Sequence, residues 1–346
     1  MKKILLFNHK GGVSKTTSTF HIGWMLAEMG HKVLLVDADP QCNLTSLFLG
    51  DSFDEYYENK ATSESNIMDG VKNAYYGVPQ PIEAFDCPNN PMNRNLYLLP
   101  GHMNLSEYDI QLNFAFSAST AMQSIRSLPG AFNDLIEKCA YKLGADYIFI
   151  DLNPGLSAIN QDMFLICDAF IIPTNPDTFS LMSIRSLSTI LPKWVRWKNE
   201  NINLFKTSAY PLPEGTPKFI GEIPQRFNIR NGKATSAYRT KISEISTVVV
   251  DEFIPKLKEA NMLYSEEDYK RGCIDTNNFI LQEIKDFQGL SPKSLNVNVP
   301  VYKLTDEQLK TTGSVLAAQK QNVLEFYAVY ADIASKIVKI LNDDRG

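Results

Sequence analysis

The chain has 346 residues, with 34 Lys and Arg against 39 Asp and Glu, for a formal net charge of −5. Hydrophobic residues make up 44% and charged residues 21%, which excludes a disordered or fibrous chain and suffices for a buried core. A total of −5 gives no overall reason to expect a nucleic-acid partner if the charge is evenly spread.

The five cysteines, Cys42, Cys87, Cys139, Cys167 and Cys273, form no CxxC pair. Neither a disulfide framework nor a zinc finger is expected, and reduced thiols fit best. No apolar run approaches the roughly 18 residues of a membrane span, and the N-terminus carries no leader pattern, so a soluble, cytoplasmic protein is expected.

In chain order, Ile4 to Phe7 is a short apolar run of buried-strand type. A loop, His9-Lys10-Gly11-Gly12-Val13-Ser14, follows it. From Lys15 the apolar spacing becomes helical, and Lys32 to Val36 is a second buried strand closed by Asp37-Ala38-Asp39-Pro40. Strand, helix and strand in so short a stretch predict a βαβ unit and a parallel sheet. Residues 51–94 hold eight acidic and three basic residues with little periodicity, and read as an acidic, surface-facing insertion. Strands are expected at 96–99, 146–151, 170–173 and 218–223, and helices near 118–143 and 179–198. Residues 242–346 are expected to be mainly helical, ending in an amphipathic helix from Thr312 to Leu341. Its acidic end favours packing on the core over a membrane surface. One α/β domain spanning 1–346 is the simplest organisation.

Lys10 to Thr17 carries the strongest chemistry. Glycines let backbone N–H groups turn toward a polyphosphate, and the helix that follows adds its positive end. Gly11, Gly12, Val13, Ser14, Lys15, Thr16 and Thr17 are therefore expected to bind nucleotide. Lys15 can reach the terminal phosphates, and Thr16 can ligate Mg²⁺. The usual loop has glycines where this chain has His9 and Ser14, and here Lys10 adds a second lysine. Asp151, ending an apolar strand, is the expected carboxylate partner of the metal, and Asp37 is expected to support the metal or the loop's lysine.

The segment Lys10-Gly11-Gly12-Val13-Ser14-Lys15-Thr16-Thr17 resembles the loop of the ParA/MinD group of deviant-Walker ATPases. Asp37-Ala38-Asp39-Pro40-Gln41, Leu98 to Leu105, Asp151 to Leu156 with Asn160, and Ile171 to Pro176 resemble further segments of that group in the same order. The resemblance covers most of residues 1–240. It implies a P-loop NTPase fold, a mostly parallel twisted sheet covered by helices on both faces with a helical C-terminal extension. It implies ATP and Mg²⁺ as cofactors, Asp39 positioning the attacking water, and Lys10 crossing to the ATP of a second subunit in an ATP-dependent homodimer. Base contacts are implied at Asn175, Pro176 and Gln225.

Between Arg185 and Lys241 eleven basic residues face three acidic ones, a net of +8. Trp194, Trp197 and Tyr238 lie among them. Such a segment can neutralise phosphates without reading sequence. The expected DNA-binding residues are Lys193, Arg196, Lys198, Arg226, Arg230, Lys233, Arg239 and Lys241. The resemblance implies nonspecific DNA binding on the nucleoid in the ATP state, release on hydrolysis stimulated by a ParB-like partner or a cargo adaptor, and no membrane partner. The implied task is plasmid or chromosome partition, or cargo positioning. A dethiobiotin-synthetase-like ligase on the same fold and a defence-associated ATPase switch are the alternatives. An iron–sulfur reductase is disfavoured, because Cys139 and Cys167 lack a glycine-flanked context.

Overall fold

The structure is a computed structural model. It describes the chain except residues 119–121, 123–124, 228, 231–232, 235 and 343–346, and describes only the backbone of 229–230, 233–234 and 236–237. Its strands are β1 (Lys2–Leu6), β2 (Val33–Ala38), β3 (Asn89–Asn90), β4 (Asn93–Leu99), β5 (Tyr147–Leu152), β6 (Ala169–Thr174), β7 (Lys218–Phe227), β8 (Ile229–Arg230), β9 (Lys233–Ala234) and β10 (Ile284–Lys285). Eight of them form one sheet in the order β10-β7-β6-β1-β5-β2-β4-β3. Every pairing in it is parallel except β3 with β4. β8 and β9 form a separate antiparallel pair.

The apolar runs VLLVDA, YIFIDL and AFIIPT become β2, β5 and β6, each buried at every position. Strands buried throughout need helices on both faces, and the sheet has them. The sequence-predicted strands therefore appear where expected, as does the P-loop NTPase architecture. The helix after β6 runs Thr178–Phe205, longer than predicted, with Pro192 inside it.

The segment 51–94 is more deeply built in than its composition indicates. A helix at Ile67–Tyr75 starts on Asn66, whose side chain accepts from the Met68 and Asp69 N–H groups. Its Ile67, Met68, Val71 and Tyr75 join the core, as do Ile82 and Cys87. The expectation of a purely surface-facing segment is corrected here. Ile67, Met68, Val71 and Tyr75 fall at helical spacing on one inward face, while Asp51, Asp54, Glu55, Glu58, Glu64, Glu83 and Asp86 stay exposed.

The closing helix, Gly313–Leu341, buries Phe326, Tyr330, Ile333, Ala334, Ile337, Ile340 and Leu341. Among the described residues no helix is long and apolar enough to cross a membrane. The C-terminal part is fastened to the helix Lys15–Glu28 through His21. The Val301 N–H donates to His21 Nε2 at 3.1 Å, the Tyr302 hydroxyl donates to its carbonyl at 2.6 Å, and Phe287 stacks on its ring at 5.2 Å. Burial holds His21 neutral, its pKa lowered to about 3.

Thr174, ending β6, donates through its hydroxyl to the buried Glu222 on β7. Burial raises Glu222 to about 7. The folded state thus holds a proton that the unfolded state has lost. This contribution to stability is complete below the ordinary value near 4.5 and disappears as pH rises through about 7. Glu222→Gln keeps an acceptor for Thr174 and removes the buried charge. Thermal unfolding should find the variant more stable by about 3 kcal/mol at pH near 8 and little changed at pH near 4.5.

Candidate active site

The loop between β1 and the helix Lys15–Glu28 sits at the carboxyl edge of the sheet, where β1 lies between β5 and β6. Open α/β sheets bind their ligands in this position. A cavity of ≈350 Å³ opens there, lined by Gly11 to Thr17, Asp39, Gln225, Arg226 and residues 284–287. Gly12 takes φ +74°, as the turn requires. Ser14, in the place of the usual second glycine, takes φ 56°. That left-handed backbone costs an L-residue roughly 1 kcal/mol and presents the next N–H groups inward.

Lys15 is 6% exposed, and its ammonium donates to the carbonyls of Asn8 at 3.0 Å and Lys10 at 3.3 Å. Burial lowers its pKa, against the pull of Asp151 and Asp39. Three aspartates close the other side. Asp37 and Asp151 are register partners at the ends of β2 and β5. Asp151 is wholly buried, and its oxygens make no well-formed hydrogen bond, although the Thr16 hydroxyl is near enough to oppose the rise of its pKa. Burial first, and the Asp37 charge second, push its pKa up. An unpartnered buried carboxylate beside a phosphate loop is destabilised unless a proton or a cation joins it. The donor set therefore fits Mg²⁺, which takes one or two carboxylates together with phosphate oxygens and water. The described residues contain no cluster of three His, Cys, Asp or Glu that would hold a metal unaided. Asp151 and Thr16 are the groups that would hold Mg²⁺, and the ion would supply neutralisation of phosphate charge.

Asp37, expected beside the metal, is committed elsewhere. Its Oδ2 accepts from the Thr45 N–H at 2.8 Å and hydroxyl at 2.7 Å, and its Oδ1 from the Asp39 N–H at 3.1 Å. It shapes the turn that carries Asp39, and burial raises its pKa to about 6. Asp39 lines the cavity, accepts from the Gln41 N–H at 2.9 Å, and has a carboxyl raised above the usual range by burial. It retains acceptor capacity facing the phosphate loop.

The base side differs from expectation. Asn175 and Pro176 do not line the cavity. Asn175 instead donates to the Gly12 carbonyl at 3.1 Å, as Arg226 does at 3.0 Å, so both clamp the loop's backbone. Gln225 does line it. Ser18 donates to its Oε1 at 3.0 Å, leaving its buried Nε2 without a partner and available to a ligand acceptor. Asn43, Lys285, Asp286, Phe287 and Ser291 also line the cavity, and sequence reasoning missed them. β10 is two residues long and its place beside β7 is set by tertiary pairing, so no periodicity marks it.

The basic segment is partly dismantled by folding. Lys198, expected on a DNA surface, is 1% exposed, and its ammonium donates to the Leu165 carbonyl at 2.6 Å. Arg239 pairs with Glu283 at 2.6 Å, Lys241 with Glu244 at 2.5 Å and Arg185 with Glu252 at 2.7 Å. Trp194 packs on Phe7 and Phe164, and Trp197 donates to the Phe116 carbonyl, so neither indole is a free stacking surface. The side chains of Arg230 and Lys233 lie outside the described residues. Lys193 and Arg196 remain exposed and, among the described residues, without ion pairs.

Comparison with known proteins agrees with this geometry. The AAA-domain family matches residues 1–204. The sporulation initiation inhibitor protein Soj of Bacillus subtilis is 30% identical over 186 residues, covering 54% of this chain and 63% of Soj. The maintenance of carboxysome distribution protein A of Gloeothece citriformis is 26% identical over 297 residues, covering 84% of this chain and 95% of that protein. Against several curated relatives the chain spans only 52% to 63% of their length. The structure of pNOB8 ParA bound to nonspecific DNA superposes with a TM-score of 0.55 at 17% identity, covering 99% of both chains, and shares the fold. With a phosphate loop of this form on this sheet, the chain belongs to the AAA-domain family and is a ParA-like P-loop protein with a deviant Walker loop.

Proposed function

We propose that this protein is an ATP-driven switch that binds ATP and Mg²⁺, dimerises around the nucleotide, binds DNA nonspecifically and leaves it after partner-stimulated hydrolysis. Its task would be partition of a replicon or positioning of a cargo. The observation that carries this reading is the cavity in which Lys15 and Asp39 face one phosphate loop, with the wholly buried carboxylate of Asp151 on the strand paired with β1. A metabolic ligase would leave Lys10 and the exposed basic residues without a role.

The DNA surface that fits best is smaller than the basic segment. Lys193 and Arg196 stand on the helix Thr178–Phe205, and Lys256 and Lys258 on the short helix Ile254–Glu259 packed against it. A cleft of ≈390 Å³ between them is lined by Arg196, Asn199, Lys256 and Asn261 together with Glu200 and Glu259. Lys256 pairs with Glu259 at 3.4 Å, which leaves Lys193, Arg196 and Lys258 as the unpaired cations of this surface among the described residues. A fold neighbour solved on nonspecific DNA supports a DNA partner. The test is binding to random-sequence DNA with ATP, with ADP and without nucleotide, across salt concentrations. Binding confined to ATP and falling steeply with salt is expected. The double variant Lys193→Glu/Arg196→Glu should lose about tenfold in affinity and flatten the logarithmic salt slope by about 2. No binding at about 50 mM salt in any state would overturn the DNA reading.

A further inference from the structure

Lys10, the second lysine of the loop, does not point into open solvent. Its ammonium forms an ion pair with Asp177 Oδ2 and donates to the Ser180 hydroxyl at 3.2 Å, leaving the Lys10 side chain 17% exposed. Asp177 divides its two oxygens between two tasks. Its Oδ1 accepts from the Ser180 N–H at 2.8 Å, capping the helix Thr178–Phe205, and its Oδ2 takes Lys10. The backbone of Lys10 is tied as well, its N–H to Asn8 Oδ1 at 3.0 Å and its carbonyl to Lys15 Nζ at 3.3 Å. Only the side chain is left to move. Burial opposes ionisation of Asp177, but the hydrogen bonds from Lys10 and Ser180 outweigh it and hold the carboxyl below its usual range.

We propose that Asp177 is a positioning residue that parks Lys10 in its own subunit and thereby sets the protein concentration at which ATP drives dimerisation. This rests on the reading of Lys10 as the cation offered to a partner's nucleotide. An ammonium held by a carboxylate of its own subunit cannot at the same time meet a phosphate across an interface. In each of two subunits the ammonium must exchange one carboxylate for phosphate oxygens of higher charge. The Asp177 side chain is 40% exposed, so water can solvate the carboxylate left behind. The contact therefore restrains Lys10 without trapping it.

Asp177→Asn isolates the effect, because the amide oxygen still caps the helix while the charge is gone. Light scattering with ATP and Mg²⁺ should show half-dimerisation at about fivefold lower protein concentration, the size of two half-exposed ion pairs. No shift is expected with ADP, and in a Lys10→Ala background Asp177→Asn should not restore the ATP-dependent dimer. A second reading does not need the dimer. Acetylation of Lys10 by an N-hydroxysuccinimide ester without nucleotide, followed by mass spectrometry, should be about fivefold faster in Asp177→Asn, because the ion pair holds the amine 17% exposed and away from the reagent. Unchanged or weaker dimerisation, or a shift that persists without Lys10, overturns the threshold. Unchanged acetylation overturns the parking. A wild-type chain that stays monomeric with ATP overturns the dimer reading and the threshold with it, while the acetylation rate still decides whether Asp177 holds Lys10.

Discussion

Lys10→Ala should abolish hydrolysis and ATP-dependent dimerisation while sparing most ATP binding. The cavity is lined by Gly11 to Thr17, and the phosphate-directed ammonium inside it belongs to Lys15, so ATP loses little in its own subunit when Lys10 is removed. A cation supplied across an interface to a transferring phosphoryl group is worth on the order of 10³-fold or more in rate. The expected drop in turnover is therefore about a thousandfold. Equilibrium binding of a fluorescent ATP analogue, light scattering and phosphate release together separate the three functions. Normal dimers from the variant would show that Lys10 serves only its own subunit, held as it is by Asp177.

Asp39→Ala gives the second large effect, with the opposite pattern. Asp39 is 4% exposed, faces the cavity from the turn after β2, and carries a carboxyl raised by burial. A base within reach of an attacking water contributes about 10²- to 10⁴-fold. Hydrolysis should fall by at least about a hundredfold, while dimerisation persists because Lys10 is untouched. The ATP dimer should accumulate and, under the proposed switch, remain on DNA. Single-turnover hydrolysis and size exclusion with ATP check both parts. If the variant hydrolyses normally, Asp39 shapes the turn and another group orients the water. Asp37→Ala should behave differently from either, losing stability rather than turnover alone, because Asp37 anchors Thr45 and the Asp39 backbone.

Much of the site was legible along the chain because its chemistry is local. A phosphate loop needs consecutive N–H groups, a lysine and a hydroxyl within eight residues of one another, and those residues stand together between a strand and a helix. Asp151 was legible as a carboxylate at the end of an apolar run, whereas Asp39 was marked only by the resemblance of its segment to the ParA/MinD group. Asp37 was read a step too far. The structure sets it opposite Asp151 and gives its oxygens to Thr45 and the Asp39 N–H, partners that no spacing in the sequence announces. The base side was missed for a similar reason. Lys285, Asp286 and Phe287 reach the cavity because a two-residue strand pairs with β7 and because Phe287 stacks on His21 and meets Phe326 edge-on. Those contacts join residues far apart along the chain.

The opening charge balance shows the same division. A net of −5 concealed a stretch of +8, which the sequence located correctly. Whether a lysine in that stretch meets solvent, a carboxylate or the core depends on which elements pack around it. Lys198 is buried on the Leu165 carbonyl, Arg239 and Lys241 are paired with acids, and Lys193 and Arg196 stay free among the described residues. By itself the sequence determined the α/β order of elements, the phosphate loop and the carboxylates at its strand ends, because periodicity and loop chemistry act over a few residues. Only the tertiary structure decided which charges are available, that Lys10 rests on Asp177, and that the acidic segment 51–94 contributes to the core. Burial and ion pairing are properties of neighbours in space.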